Sequence, residues 1–275
     1  MHNPYPNRPH PNRPRPGRHE LGQNFLVDVE VIDHIVDLVA ARPGPIVEWG
    51  AGNGAITMGL DRLGRRLEGI EIDPRRVQAL QRRVGPHVCI SEGDILRHAP
   101  PRGAVIVSNI PFHLTTPILR HLLRSPRWSD AVLVTQWEVA RKRAGVGGAT
   151  QLTSQWWPWY DFVLDRRIPS TAFRPRPSVD AGLLLIRRRT APLIPQDRQR
   201  SYQDWVARVF GSRGRGIAEI LRRNGVPRRV AAEIARGGRN RPAALARDLG
   251  AEDWAAAYES VQSTPRNSTR RGSVE

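Results

Sequence analysis

The run Asn109-Ile110-Pro111-Phe112 sets an amide, a peptide carbonyl and a flat ring together on a turn that proline stiffens. Two acceptors beside a π face suit a flat group that carries an amino substituent. A second run, Glu48-Trp49-Gly50-Ala51-Gly52-Asn53-Gly54, is rich in glycine, which lets the backbone turn sharply and approach a ligand closely. Gly50, Gly52 and Ala55 match the dinucleotide-binding pattern. Glu71 follows about 20 residues on, where a carboxylate can accept from ribose hydroxyls. A nicotinamide dinucleotide and S-adenosylmethionine both carry such a ribose, and a glycine turn without a ligand is the plainer alternative. Gly93-Asp94-Ile95 adds a carboxylate for an adenine amino group and an apolar side chain for its ring, although Asp94 also fits a helix cap.

These residues all stand at the ends of short apolar runs. The runs are Ile46-Val47-Glu48, Leu67 to Ile72, Val88 to Ile90, Ala104 to Ser108, Ala131 to Gln136 and Ala181 to Ile186. Turns and amphipathic segments follow them, which predicts an α/β chain with a doubly wound, mainly parallel Rossmann-like sheet. Ahead of it, Asp28 can cap a helix through about Ala41, with Val31, Ile32, Ile35, Val36 and Val39 at helical spacing. After Arg187-Arg188-Arg189 the strands stop, and residues 191–262 read as a small helical domain broken at Gly225-Val226-Pro227, Gly237-Gly238 and Gly250. The sheet domain is then 19–190, preceded by a basic, disordered arm over 1–18 and followed by a disordered tail over 263–275.

The chain has 275 residues and a net charge of +17, and of its 43 basic residues only Lys142 is a lysine. Such a charge points to a polyanion, and guanidinium forks suit phosphates and bases. A GC-rich genome would also favour arginine over lysine, without explaining why acids are few. The single Cys89 excludes an intramolecular disulfide and a multi-cysteine metal site, and its apolar neighbours predict a buried strand residue. No run reaches the ~18 apolar residues of a membrane span, and no signal peptide is evident, so a cytoplasmic protein is expected. Trp156, Trp157, Trp159 and Tyr160 read as core packing behind the site, and His113 as a supporting or RNA-contacting residue.

Taken in order, Gly22-Gln23-Asn24-Phe25-Leu26, the Glu48 to Gly54 loop, Glu71-Ile72-Asp73, Gly93-Asp94-Ile95, Asn109 to Phe112 and Phe173-Arg174-Pro175-Arg176-Pro177-Ser178-Val179 resemble the ribosomal RNA adenine dimethylases. Ile110 with Phe112, and Gln136-Trp137-Glu138-Val139-Ala140, are most similar to the erythromycin-resistance methylases of 23S rRNA. The housekeeping small-subunit enzymes more often carry Asn-Leu-Pro-Tyr at the fourth run. The resemblance is strong over 19–188 and only architectural beyond. It implies S-adenosylmethionine contacts at Asn24, Leu26, Gly50, Glu71, Asp94 and Asn109, with Gln23, Gly52, Ile72 and Ile95 completing the pocket. It also implies a second stacking ring, Phe173, opposite Phe112.

The chemistry so implied is methyl transfer to the N6 amine of an adenine in 23S rRNA at the macrolide-binding region, giving macrolide-lincosamide-streptogramin B resistance. The Asn109 side-chain oxygen and the Ile110 carbonyl would accept the two amine protons and turn the lone pair toward the methyl, by placement and preorganised dipoles. No metal is needed. The base would have to leave its stack and meet Phe112. The expected partner is 23S rRNA, naked or in an assembling large subunit, bound by a monomer. Arginine clusters at 141–143, 187–189, 213 with 215, 222–223 and 228–229 are candidates for phosphate contacts. A small-subunit dimethylase and a non-catalytic RNA-binding assembly factor on the same fold are the competing readings, with a nicotinamide enzyme a distant fourth.

Overall fold

The computed structural model describes residues 24–125, 127–237 and 245–263. The arm over 1–18, Gln23, and the tail beyond Ser263 lie outside the described residues.

A seven-stranded mixed sheet has the order β4-β3-β2-β5-β6-β9-β7. Its parallel part comprises β2 (Ile46–Trp49), β3 (Leu67–Glu71), β4 (Val88–Glu92), β5 (Val105–Asn109) and β6 (Asp130–Gln136). Strands β9 (Ala181–Arg188) and β7 (Tyr160–Ile168) then join antiparallel. Covering both faces with helices requires apolar side chains on both sides of a strand, which is why the central runs lack polar alternation.

Helix α1 (Val29–Ala40) starts where Asp28 accepts from the Val31 amide at 3.1 Å. It buries Val31, Ile35, Val36 and Val39 against the sheet and against α2 (Ala55–Asp61). On the other face run α4 (Thr115–Arg124), α5 (Trp137–Arg143) and α6 (Gln151–Trp156). Helix α3 (Pro74–Gln81) supports β4. The helical end consists of α7 (Gln199–Gly211), α8 (Ile217–Arg223), α9 (Arg228–Gly237) and α10 (Ala251–Gln262).

The core does not stop where the strands do. One continuous apolar cluster runs from Val47 and Ile106 through Trp156, Trp159 and Tyr160 to Tyr202, Trp205, Trp254 and Tyr258. The Tyr202 hydroxyl donates to the Ser154 carbonyl at 2.8 Å, tying α7 to α6. Trp156, Trp159 and Tyr160 are buried as expected, and Trp157 is half-buried.

Three expectations need correcting. Cys89 is exposed, because β4 is the sheet's edge and only its Ile90 face is covered. Phe173 is fully buried among Leu26, Ala172 and Leu183, so it offers no face to a base. It belongs to the short strand β8 (Phe173–Arg174), which pairs antiparallel with β1 (Phe25–Leu26). Arg188 and Arg189 are half-buried and engaged by the protein's own groups at the end of the sheet opposite Asn109, while Arg187 keeps 42% of its side chain exposed there. Arg188 donates to the Trp128 and Ser125 carbonyls and the Tyr160 hydroxyl, and Arg189 pairs with Asp161 at 2.6 Å.

Candidate functional site

The strand order reverses between β2 and β5: the chain leaves β2 toward β3 and β4, then returns to β5 on the other side. Loops leaving two such neighbours diverge and open a crevice at their carboxyl ends. A cleft of about 570 Å³ lies there, walled by the turn from Gly50 to Ile56, by Asn109 to Phe112, and by Asn24 to Leu26. The β1–β8 pairing and the Val27 amide, which donates to the Ala172 carbonyl at 2.8 Å, hold the Asn24 to Leu26 segment against this cleft.

Asn24, Leu26, Gly50, Gly52, Asn109, Ile110 and Phe112 therefore share one cavity. Glu71 stands next to it, at 1% exposure: one carboxylate oxygen accepts from the Gly52 amide at 2.7 Å, the other from the Ile72 and Asp73 amides at 2.9 and 3.0 Å. Each carboxylate oxygen has two acceptor sites, so Glu71 keeps capacity beyond these three bonds. Ile72, Asp94 and Ile95 do not wall the cavity but continue its line along the ends of β3 and β4, where the Gly93 amide donates to the Glu71 carbonyl at 2.9 Å. Asp94 caps locally, accepting from Leu96 at 2.8 Å, and Ile72 is 64% exposed, an apolar side chain waiting for a cover. His113 is exposed.

Gly50 has φ +79°, and a Cβ built on it would meet nothing within 4 Å. Bare backbone thus borders open space, which is what a ligand lying against the turn requires. With carboxylates at the ends of β3 and β4 and exposed Ile72 between them, the donor set fits a nucleoside with a further polar group reaching into the glycine turn.

At the other wall the Asn109 amide is oriented by its neighbours. Its Nδ2 donates to the Asn24 carbonyl at 2.8 Å, which leaves Oδ1 as the end without a partner among the described residues. The Ile110 amide donates to the Val134 carbonyl at 2.9 Å, while the Ile110 carbonyl receives no donor among the described residues. Two adjacent acceptors, both open, are what an exocyclic amine demands. Phe112, half-buried, begins the one-turn helix Phe112–Leu114, which Thr115 secures by donating its hydroxyl to the Phe112 carbonyl at 3.0 Å.

Glu48 went unnoticed as a site residue in the sequence, although an acid inside Ile-Val-Glu-Trp was the signal. It borders the cleft at 2% exposure, and its carboxylate accepts from the Thr57 hydroxyl at 2.6 Å. Burial pushes its pKa up to about 8, nearby Glu71 adds to the rise, and the Thr57 bond opposes it. At neutral pH the cleft thus contains a mainly protonated acid, able to donate. Phe25, Ala51, Asn53, Ile56 and Pro111 are further wall residues. Among the described residues no cluster of His, Cys, Asp and Glu could hold a metal ion, and no helix is long and apolar enough to cross a membrane.

A family model for ribosomal RNA adenine dimethylase matches residues 15–263. The chain is 49% identical over 241 residues to the mycinamicin-resistance protein MyrB of Micromonospora griseorubida, covering 87% of this chain and 77% of that protein. It is 50% identical over 208 residues to an rRNA adenine N-6-methyltransferase of Corynebacterium diphtheriae, covering 75% and 82%. The crystal structure of the 23S rRNA methyltransferase ErmE superposes with a TM-score of 0.77 at 31% identity, covering 87% of this chain and 100% of that one. A dimethyladenosine transferase from Plasmodium falciparum, at 19% identity and a TM-score of 0.65, shares the fold.

Proposed function

Since the chain belongs to the ribosomal RNA adenine dimethylase family and is an S-adenosylmethionine-dependent rRNA adenine N6-methyltransferase, we propose that it modifies 23S rRNA and protects its host from macrolides. The likeness to a mycinamicin-resistance protein and to ErmE supports this reading over a small-subunit target. Methylation at the macrolide-binding region of the peptidyl-transferase centre, with lincosamide and streptogramin B resistance, is the finer form of the proposal.

The observation that carries the chemistry is the pair of open acceptors, Asn109 Oδ1 and the Ile110 carbonyl, beside the Phe112 ring at the mouth of the cleft. S-adenosylmethionine supplies an electrophilic sulfonium methyl. We assign its nucleoside to Glu71, Ile72, Asp94 and Ile95, and its amino-acid end to Asn24, Leu26, Gly50 and Gly52. The adenine amine is a weak nucleophile because its lone pair is shared with the ring. Accepting hydrogen bonds from both N–H groups favours a pyramidal nitrogen and takes the lone pair out of conjugation with the ring, aimed at the methyl, while Phe112 holds the extruded base flat. The methylated amine would lose one proton to water, the sulfonium having left as a neutral thioether. Positioning and fixed dipoles lower the barrier, without a strong base.

Expression in a macrolide-sensitive bacterium tests the assignment, with resistance measured and methyladenine mapped by primer extension in both ribosomal RNAs. The expected result is resistance with a modified adenine in 23S rRNA. Modification confined to the small subunit would overturn it.

A further inference from the structure

A second cavity, of about 750 Å³, opens on the same edge of the sheet as the catalytic cleft. Strand β6 runs parallel beside β5 with Val134 opposite Asn109, and Trp137 begins α5 three residues further on. Neighbouring strands are about 4.8 Å apart, so this cavity lies close beside the adenine's place, toward β9 and β7. Trp137, half-buried, lies along Gly182, where a Cβ would come 3.2 Å from its ring. Over it sits Arg167, its guanidinium carbon 5.4 Å from the ring centroid. Arg167 is fixed from below: its Nε donates to Asp180 at 2.8 Å, and Asp180 also accepts from the Ser170 amide at 2.8 Å. The Ser170 bond and Arg167 hold the Asp180 carboxyl below its ordinary range, so this support stays ionised. The terminal nitrogens of Arg167 have no partner among the described residues, and its side chain is 60% exposed.

An indole layered with a restrained guanidinium, two flat surfaces with free N–H donors, is a surface on which a base stacks and a phosphate binds. Gln136 and Glu138 at the rim add a side-chain amide and carboxylate able to read a base edge. Nothing in methyl transfer itself uses these residues. Resting on the rRNA substrate proposed above, we infer that this cavity binds an unpaired nucleotide flanking the target adenine, its base stacked on the Trp137–Arg167 layer. The subsite would anchor the strand while the neighbouring base swings into the catalytic cleft, and so select the sequence around the target.

The test is a cycle between Trp137→Ala and abasic substitutions in a short RNA hairpin carrying the mapped adenine, read as KM and kcat for methylation. Trp137→Ala is expected to raise KM for the hairpin about 5- to 100-fold with kcat and S-adenosylmethionine affinity nearly unchanged. Trp137→Phe should restore most of the loss. One abasic position beside the target should raise KM for the native enzyme by a similar factor, and add nothing in Trp137→Ala. An unchanged KM in Trp137→Ala, or an abasic penalty that persists undiminished in it at every flanking position, would overturn the inference. If Trp137→Ala melts early, Arg167→Met carries the same cycle, and full additivity there is equally fatal. Failure of the native enzyme to methylate any hairpin from the large subunit, by contrast, removes the substrate assignment itself.

Discussion

The two faces of the sheet are packed with different material. Beneath α1 and α2, the strands meet Val, Leu and Ile almost exclusively, with Phe173 the one buried ring of that cluster among the described residues. On the other face, most densely where it meets the helical end, rings follow one another. Trp128 stacks on Tyr160 at 5.0 Å, Trp156 abuts Trp159 and Tyr160, Tyr202 abuts Trp205, and Trp254 stacks on Phe210 at 5.6 Å. Branched aliphatic chains pack well on a twisted parallel sheet and leave its strand ends free for short glycine loops. Large rings fill the wider, irregular space where a sheet edge meets four helices. Reactive geometry sits at the carboxyl ends of the strands, walled from both faces by Leu26, Ile56 and Ile110, and the aromatic side secures the helical end that carries Arg213, Arg215, Arg222 and Arg228.

Breaking the aromatic side should be the costliest change to the fold. Trp205→Ala, at 2% exposure, is expected to lose about 3–5 kcal/mol in denaturant unfolding. A loss under 1 kcal/mol would mean the rings are not what joins the helical end. At the reactive strand ends the effect should be catalytic instead. Asn109→Ala is expected to lower kcat about 10²- to 10³-fold, the scale for removing one positioned polar partner, with cofactor affinity only modestly weaker and melting little changed. Unchanged turnover would refute the role of its Oδ1.

Glu48 sharpens the contrast, because it is a stability cost kept at the reactive strand ends. Its folded pKa of about 8 lies above the ordinary 4.5, so the folded state holds the proton more tightly than the unfolded chain. This contribution is flat below about 4.5, erodes as pH rises from 4.5 to 8, and is lost above. Comparing unfolding free energies of native protein and Glu48→Gln across that window should show a native decline of a few kcal/mol that the variant lacks. Parallel pH profiles would indicate that Glu48 is ionised throughout. The smallest effect belongs to Phe112→Ala, expected to weaken RNA binding by about 1–3 kcal/mol while sparing cofactor affinity. Intact RNA affinity and turnover would make that ring structural.

The parallel half was legible because its physics is local. Continuous apolar runs ended by Gly, Asn or Asp mark buried parallel strands, and the residues at their ends named most of the cleft. Strand β7 escaped, since Asp165, Arg166 and Arg167 interrupt it; at a sheet edge those side chains remain outside, so no long apolar run is needed. Edge position also misled for Cys89, whose apolar neighbours signal a strand but not which face is covered. Phe173 was misplaced because its burial depends on β1, a partner far away in sequence that no periodicity announces. Glu48 and the Trp137–Arg167 layer are likewise products of tertiary contact: the acid's environment comes from Thr57 and Glu71, and the indole's cover comes from β7.

The pairing of Phe25 and Leu26 with Arg174 and Phe173 also fixes a timetable. Synthesis proceeds from the N-terminus, so the glycine turn and Asn109 leave the ribosome well before the strand that clasps one wall of their cleft. A nascent chain ending near Gln136 would have every wall residue of the cavity and the Asn109–Asn24 hydrogen bond, but not the strand pairing or the Ala172 carbonyl that hold Leu26 and Val27. The clasp on this wall of the cleft is therefore complete only after about two-thirds of the chain has been made, on a ribosome built from the class of RNA that the enzyme modifies.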